Sequence, residues 1–412
     1  MACLSLTELL GARVSDPAGA TGRVRELVMR PQEDTTRISA LLVKTKDGDR
    51  LLPFADVTTI NGGIRTSRPI SQWVSSLETE GLLLLERDLL DQQIIDVHGR
   101  KVVRVNDVDL HQDSANNHVV LKVGGVDVGP RGAVRRLLKG LVPMAALRVL
   151  LKRIPPREIP WEFVDLIETD PARRVKLKIA HQRLARLHPA DIADIIEELA
   201  PDEREAVFET LDENVAAEAM EEIQPKLQAS IMESLDSERA ADIIEEMDPD
   251  AAADLLKELP QETTNEILQE MEPQERNEVS ELLEFKEDTA AGRMTTEYMA
   301  LPATATVNDA IEMLRNFEGG VETVSTVYLI DQNGKLTGAV PLPKLVLARP
   351  TDLLGSLSAE PLVSVHAGAG EKDVAELFDK YNLLTLAVVD DEGKLTGVIT
   401  SDDVISLLRS KL

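Results

Sequence analysis

Asp250 and Asp254 stand four residues apart in the stretch PDAAADLLKELP, a spacing that puts two carboxylates on one face of a helix. Paired carboxylates are the oxygen donors a hard divalent cation takes, and an ion that keeps several of its waters needs only one or two side chains. Acids crowd around them: residues 188–288 carry 33 Asp and Glu against 6 Lys and Arg, nearly the whole −28 of the chain. An acidic surface facing another repels itself. Bound divalent ions would remove that repulsion, and monovalent salt would imitate part of the effect by screening. Two considerations weigh against a metal site. So dense a run of acids matches many patterns, and Asp250, just after Pro249, also suits a helix start, where the dipole favours an anion. Other chemistry is poorly supplied. His98, His111, His118, His181, His188 and His366 are scattered, with no H-E-x-x-H, no cysteine pair, no P-loop and no nucleophile elbow, so no enzyme activity is expected.

The element that must position these acids is a run of short helices. Pro189, Pro201, Pro225, Pro249, Pro260 and Pro273, with Asp212 and Asp236 between them, recur every 11 to 13 residues, one three-turn helix and a tight turn. Apolar residues keep helical spacing within each interval, as in Ile192, Ile195, Ile196 and Leu199. The segments AADIIEEMDPD (240–250) and AAADLLKELPQ (251–261) read as degenerate copies, which predicts an α-helical superhelix over residues 188–288.

Composition bounds the rest. A chain of 412 residues exceeds one core, and 3% aromatics leaves the cores to Leu, Ile, Val and Ala. One cysteine, Cys3, excludes an internal disulfide framework and fits a reducing compartment. Without a long apolar run or a signal peptide, no transmembrane segment is expected, and the localisation read from the sequence is cytoplasmic. The acidic balance argues against nucleic acid as a partner. Residues 1–128 repeat: LGARVSDPAGATGRVREL (10–27) aligns with LDQQIIDVHGRKVVRVND (90–107) at an offset of 80, with Asp16 over Asp96 and Gly19 over Gly99. Residues 129–187 form a basic linker with helices. Within 130–187 there are 14 Lys and Arg against 5 acids, and AVRRLLKGLVPMAALRVLLKR (133–153) is either a packed connector or a peripheral membrane-surface helix. Residues 289–412 repeat as well. YLIDQNGKLTGAVPLPKLV (328–346) aligns with AVVDDEGKLTGVITSDDVI (387–405) at an offset of 59, each reading strand, tight turn, strand, helix, with an earlier helix at 307–315 and 371–380.

The twice-occurring D-x-x-G turn followed by alternating apolar residues resembles the PRC-barrel family, whose members are usually docking modules. The second repeat resembles a tandem pair of CBS domains (289–350 and 351–412), which commonly dimerise. The fold class expected is therefore multidomain α+β: a small PRC-like β-barrel, an α-helical superhelix and an α/β CBS pair. Their order, with the A-G-x-M-T-x-E-Y run from Ala291 to Tyr298 between superhelix and CBS pair, resembles the cytosolic half of the MgtE magnesium transporters over residues 180–412. That resemblance implies magnesium bound by carboxylates between superhelix and CBS pair, with metal ligands at Glu218, Asp250 and Asp254 on one side and at Asp403, with Asp402 beside it, on the other. Asn382 and Ser406 stand where further acids would be expected, and Arg409 and Lys411 would repel cations. The chain stops at Leu412, just after the second CBS helix, so transport by this polypeptide alone is not expected. CBS pairs also bind adenine nucleotides such as ATP through a G-h-x-[ST]-x-x-D signature. The second copy has it complete in Gly397, Thr400 and Asp403, whereas the first has Pro341 and Lys344 in place of hydroxyl and acid, and Thr326 in place of an aromatic. Asp403 also suits helix capping. The function expected is a magnesium-responsive regulatory or adaptor protein, homodimeric through its CBS domains, with a separate membrane transporter or another protein as partner of the PRC-like region. The alternatives are a protein-interaction scaffold without a metal, or an adenine-nucleotide sensor.

Overall fold

In a computed structural model of the chain, the described residues are 2–31, 33–60, 63–74, 82–115, 118–139, 151, 154–167, 183–286, 288–317, 324–359 and 361–410. They form two compact units, Met1–Ile223 and Gln224–Leu412.

The first unit opens with a curled half-barrel built from the expected duplication. Its first copy runs β1 (Ala2–Ser5), α1 (Leu6–Leu9), β2 (Arg13–Ser15), β3 (Thr21–Met29), β4 (Ile38–Thr45), β5 (Gly48–Pro53), β6 (Val57–Thr59) and β7 (Ile64–Thr66). The second runs β8 (Leu83–Leu84), α2 (Leu85–Leu89), β9 (Gln93–Asp96), β10 (Lys101–Arg104), β11 (Asp107–Ala115), β12 (His118–Asp127), α3 (Pro130–Leu137), β13 (Glu158–Pro160) and β14 (Val164–Leu166). The matching acids hold the matching turns: Asp16 Oδ1 accepts from Ala20 N at 2.8 Å and Asp96 Oδ1 from Gly99 N at 2.8 Å. The left-handed residue differs, being Gly19 (φ +84°) in one turn and Arg100 (φ +49°) in the other.

Neither copy is self-contained. β1 pairs with β11 of the second copy (Leu4 opposite Leu110), and β8 pairs with β3 of the first (Leu84 opposite Val28). Each exchanged strand leads into a short helix whose free N–H groups meet a buried acid of the other copy. Glu26 accepts from Glu86 N at 2.7 Å and Arg87 N at 3.1 Å, and Asp107 accepts from Thr7 N at 3.0 Å. Helix starts have unpaired donors, so a buried carboxylate there satisfies them and is itself satisfied. One apolar core runs through both copies, from Leu6, Leu27 and Phe54 to Leu89, Leu110 and Trp161.

The half-barrel draws β13 and β14 from within residues 129–187, where a linker was expected; β13 pairs with β12 and β14 with β9. The physical reason is an insertion. Pro53-Phe54 and Pro160-Trp161 each open the same kind of short turn, but they lie 107 residues apart (160 − 53) instead of 80, so the repeat resumes after α3. Of the basic stretch 133–153, residues 140–150 and 152–153 lie outside the described residues.

The acidic helices are α4 (Pro189–Glu198), α5 (Pro201–Phe208) and α6 (Glu213–Glu222) in the first unit, then α7 (Pro225–Met232), α8 (Ser237–Glu245), α9 (Pro249–Glu258), α10 (Gln261–Glu270) and α11 (Pro273–Leu283) in the second. Five of the six marker prolines open a helix, where a missing N–H costs nothing, and Pro260 sits one residue ahead of α10. Alternate helices pack together: α4 on α6, α7 and α11 on α9, α8 on α10. Against the half-barrel, α4 covers β10, with Arg100 paired to Asp191 at 2.8 Å and Val102 N donating to Glu198 Oε2 at 2.9 Å.

The CBS pair follows. One copy is β15 (Met299–Pro302), α12 (Val307–Arg315), β16 (Thr326–Ile330), β17 (Leu336–Pro341) and α13 (Leu342–Leu347). The other is β18 (Ser364–His366), α14 (Glu371–Tyr381), β19 (Thr385–Val389), β20 (Leu395–Thr400) and α15 (Ser401–Ser410). Each sheet is parallel then antiparallel, and the hairpin turns fall at Gly334 (φ +79°) and Gly393 (φ +78°) as the Asn-Gly and Glu-Gly pairs predict. The two tips bond each other, Leu336 N to Gly393 O at 3.0 Å and Leu395 N to Gly334 O at 3.1 Å.

Replacing Glu26 by Ala should destabilise the half-barrel by about 2 kcal/mol, because Leu27 N, Glu86 N and Arg87 N all lose a buried acceptor. Urea unfolding of the full chain measures this; a change below about 0.5 kcal/mol, the scatter of an ordinary surface substitution, would refute the exchanged-cap account.

Candidate functional site

The segment joining superhelix to CBS pair determines what surrounds the acids. Ala290 N and Ala291 N donate to Ala369 O (2.8 Å) and Ala367 O (2.9 Å), and Thr295 then exchanges two bonds with Val398 of β20, at 2.8 and 3.0 Å. The Ala291–Tyr298 run therefore lies along the second CBS copy, first as a helical turn over Ala291–Arg293 and then bridged to β20 at Thr295. This close approach needs Gly397: a Cβ there would stand 2.7 Å from Met294 Sδ and 2.8 Å from Thr295 O. Gly397 is thus packed against protein.

Laid down this way, the run brings Thr295 and Glu297 to a cavity of about 10 Å³, room for one water-sized particle, whose other walls are Asp248, Asp250, Thr400, Asp402 and Asp403. Asp248 and Asp250 flank Pro249 at the start of α9, and Asp402 and Asp403 lie in the first turn of α15. Two helix starts thus present four carboxylates to one small space, each favoured by its own dipole and opposed by the others. Burial, then the charges of Asp403, Asp248 and Asp254, hold the Asp250 carboxyl well above the usual carboxylate range. Burial, then Asp402 and Asp248, pushes Asp403 up to about 6, even though Thr400 donates to it from N (3.1 Å) and Oγ1 (2.6 Å). Asp248 is raised by burial and by Asp402. Among the described residues, no Lys, Arg or His pairs with Asp250 or Asp403.

The structure separates Asp254 from this group. One turn along α9, Asp254 lies 2.8 Å from Arg293 Nη1 and 3.2 Å from Lys257 Nζ, and Arg293 reaches on to Glu371 Oε1 at 3.3 Å. The two acids that share a helix face in the sequence are therefore in opposite electrostatic settings, Asp250 among anions and Asp254 between two cations. Glu218 lies on α6 in the other compact unit, exposed beside buried Ala217 and Ala219. Of the nucleotide signature, Thr400 gives its hydroxyl to Asp403, and Lys344 in the first copy is tied to Leu357 O at 3.1 Å. Asn382 has the left-handed conformation that ends α14 (φ +50°), a place that suits Asn better than an acid.

Sequence reasoning assigned no role to Asp248, Arg293, Thr295 or Glu297. The signals were present: Asp248 opens the Asp-Pro-Asp start of α9, and the other three lie in the Ala291–Tyr298 run. Among the described residues no three Asp, Glu, His or Cys side chains converge closely enough to hold a metal ion by themselves. The donor set is nevertheless all oxygen and anionic, which suits a hard cation that keeps its waters and asks for one or two direct carboxylates. No helix among the described residues is long and apolar enough to cross a membrane.

Compared with known families, residues 187–288 match the MgtE intracellular N domain, and residues 290–349 and 354–410 each match the CBS domain. The chain is 35% identical over 136 residues to the magnesium transporter MgtE of Thermus thermophilus, covering 33% of this chain and 30% of that protein. With the MgtE of Enterococcus faecalis it shares 34% over 134 residues, 32% of this chain and 30% of the other. The match thus spans about a third of the length of these relatives. A crystal structure of the cytosolic domain of the Mg2+ channel MgtE in complex with ATP is 31% identical, with a TM-score of 0.53, covering 57% of this chain and 94% of that one.

The two settings on α9 predict substitutions of opposite sign. In chelator at pH 7.5, Asp250→Asn should stabilise the chain on the order of 1 kcal/mol by removing a charge from an anionic cavity. Asp254→Asn should destabilise it by about 0.5 kcal/mol through its lost ion pairs. Because burial raises the Asp250 carboxyl, its ionisation opposes folding only above the ordinary carboxylate range, so the gain should vanish as pH falls toward 4. Urea midpoints of the two variants shifting in the same direction would overturn the assignment.

Proposed function

Residues 187–410 belong to the family of the MgtE cytosolic domain, an intracellular N domain followed by a CBS pair, and from that premise we propose that the chain is a magnesium-responsive regulatory or adaptor protein with no catalytic activity. The observation that carries this reading is the cavity where Asp250 and Asp403, which pair with no Lys, Arg or His among the described residues, meet Asp248, Asp402 and Glu297. Charges held this way oppose the approach of the α9 and α15 starts, and a bound divalent cation would turn the opposition into attraction. Asp250 and Asp403 would supply direct or water-bridged oxygens, and Asp248, Asp402 and Glu297 would complete the outer charge. Asp254, held by Arg293 and Lys257, would position α9 against the 290–298 run instead of touching the ion. Glu218 remains a proposed ligand on the family resemblance alone.

The protein is proposed to act in the cytoplasm as a homodimer, with a membrane transporter or another protein as partner of the half-barrel. Support for the dimer comes from apolar side chains that the fold leaves in water at matching places of the two CBS copies: Val346 is 83% and Leu347 87% exposed on α13, and Ile405, 59 residues after Val346 (405 − 346), is 64% exposed on α15. Burying such a face between two chains typically covers on the order of 1,200–2,000 Å². Analytical ultracentrifugation at tens of micromolar should give a dimer, and Val346→Glu with Ile405→Glu should give a folded monomer; a monomeric wild type refutes this part.

Magnesium should raise the melting temperature of the full chain at pH 8. The rise should shrink as pH falls through about 6, where protons compete for Asp403. At magnesium about 100 times its dissociation constant the stabilisation is about 2.7 kcal/mol, and Asp250→Asn should lose most of it. Equal stabilisation by sodium at matched ionic strength would leave screening alone and reject the sensor reading. Calorimetric binding of ATP without magnesium would favour the nucleotide sensor.

A further inference from the structure

Away from the acidic cavity, the half-barrel buries a second group of carboxylates. Asp107 and Asp127 are directly opposite each other on β11 and β12, Glu158 of β13 is opposite Asp127, and Asp109 follows two residues after Asp107 on the same side of its strand. Asp107 and Asp127 have no exposed surface and Asp109 has 5%. Like charges facing across strands repel, so the row requires a counter-charge. It comes from α3, the helix inserted between β12 and β13: Arg135, itself buried, stands 2.7 Å from Asp107 Oδ2 and 3.5 Å from Asp109 Oδ1. Arg131 of α3 is 3.9 Å from Glu158 Oε1.

The hydrogen bonds do not balance. Asp107 is satisfied by Thr7 N, Val108 N and Arg135, and Asp127 Oδ1 accepts from Gly129 N at 2.8 Å. Asp109 Oδ2 and Asp127 Oδ2 are buried with no donor. One guanidinium thus serves three buried carboxyls, and two of their oxygens lack a hydrogen. Protonating one of these carboxyls removes a charge from a closed, acid-rich site and so lowers the cost of burying it.

We propose that this cluster is a proton-binding latch of the half-barrel: a proton on Asp109 relieves the excess of buried negative charge on β11, β12 and β13, and its loss as pH rises loosens these strands. The groups facing Asp109 are Asp107 on its own strand, Asp127 on β12, Glu158 on β13 and Arg135 on α3, with Ser5 of β1 opposite it. Burial, with Glu158, Asp107 and Asp127 adding to it against Arg135, pushes the Asp109 carboxyl up to about 7, and burial also raises Asp127. A carboxyl whose folded value lies above its unfolded one contributes stability below the unfolded value and loses it as pH rises to the folded value. For Asp109 that window runs from about 4 to about 7 and flattens above. The latch is independent of the magnesium reading, because every group in it lies within the first unit.

Hydrogen exchange of the full-length protein in chelator, read on peptides covering residues 107–113 and 119–127 of β11 and β12 and corrected for the intrinsic pH dependence of exchange, tests it. Opening of β11 and β12 in the wild type should become up to about tenfold more frequent per pH unit between pH 5 and 7, and level off above, the slope of one released proton. Asp109→Asn, which mimics the protonated group, should abolish most of this slope. A wild-type profile flat from pH 5 to 7 overturns the latch whether or not the variant folds. An unchanged slope in a folded Asp109→Asn overturns the assignment to Asp109.

Discussion

Two backbone hydrogen bonds between Thr295 and Val398 fix the segment that walls the acidic site. A short extended segment can lie on β20 only if the strand offers free backbone groups and lacks a side chain in the way, and Gly397 meets the second condition. Once Thr295 is set there, Arg293 falls between Asp254 and Glu371, and Thr295 and Glu297 fall at the mouth formed by α9 and α15. The segment is therefore both the chain's path into the CBS pair and the wall of the acidic cavity.

The same device appears twice more. Before the second CBS copy, Ala359 N donates to Ala339 O of β17 at 2.8 Å, so each copy is edged by the segment that leads into the other. In the half-barrel, β1 and β8 are exchanged between copies in the same sense. Strand edges carry unpaired N–H and C=O groups, and a duplicated unit that covers its partner's edge removes both liabilities together. The exchange also makes each duplicated half depend on the other for its helix caps, as Glu26 and Asp107 show.

The carboxylates gathered by that packing are balanced in two ways. Around Asp254 the acids have guanidinium and ammonium partners, so the charges are satisfied within the fold. Around Asp250 and Asp403, and around Asp109 and Asp127, they exceed their partners, and burial raises their affinity for protons. An excess of this kind costs stability in the bare protein and is retained where a cation or proton can relieve it.

Much of the architecture follows from local pattern alone. Proline spacing and apolar periodicity determine the short helices, because a Pro can open a helix but cannot sit inside one; Asp-x-x-Gly and Asn-Gly determine the hairpins, because those turns need a capping carboxylate or a left-handed residue. The two internal repeats were equally legible, since duplication leaves residue identities at a constant offset. What the sequence alone could not decide was which acids share a cavity. Asp250 and Asp254 are equivalent by helical spacing, yet one turn of helix carries them from an anionic space to a cationic one, a difference made by Arg293 from 39 residues away. Asp109 likewise reads as an ordinary polar strand residue until the inserted helix α3 and strands β1, β12 and β13 close over it. Charge environments are sums over neighbours in space. Only the tertiary fold, which chooses those neighbours, could decide that Asp254 has two cationic partners, Asp250 none among the described residues, and Asp109 only a guanidinium it shares with Asp107.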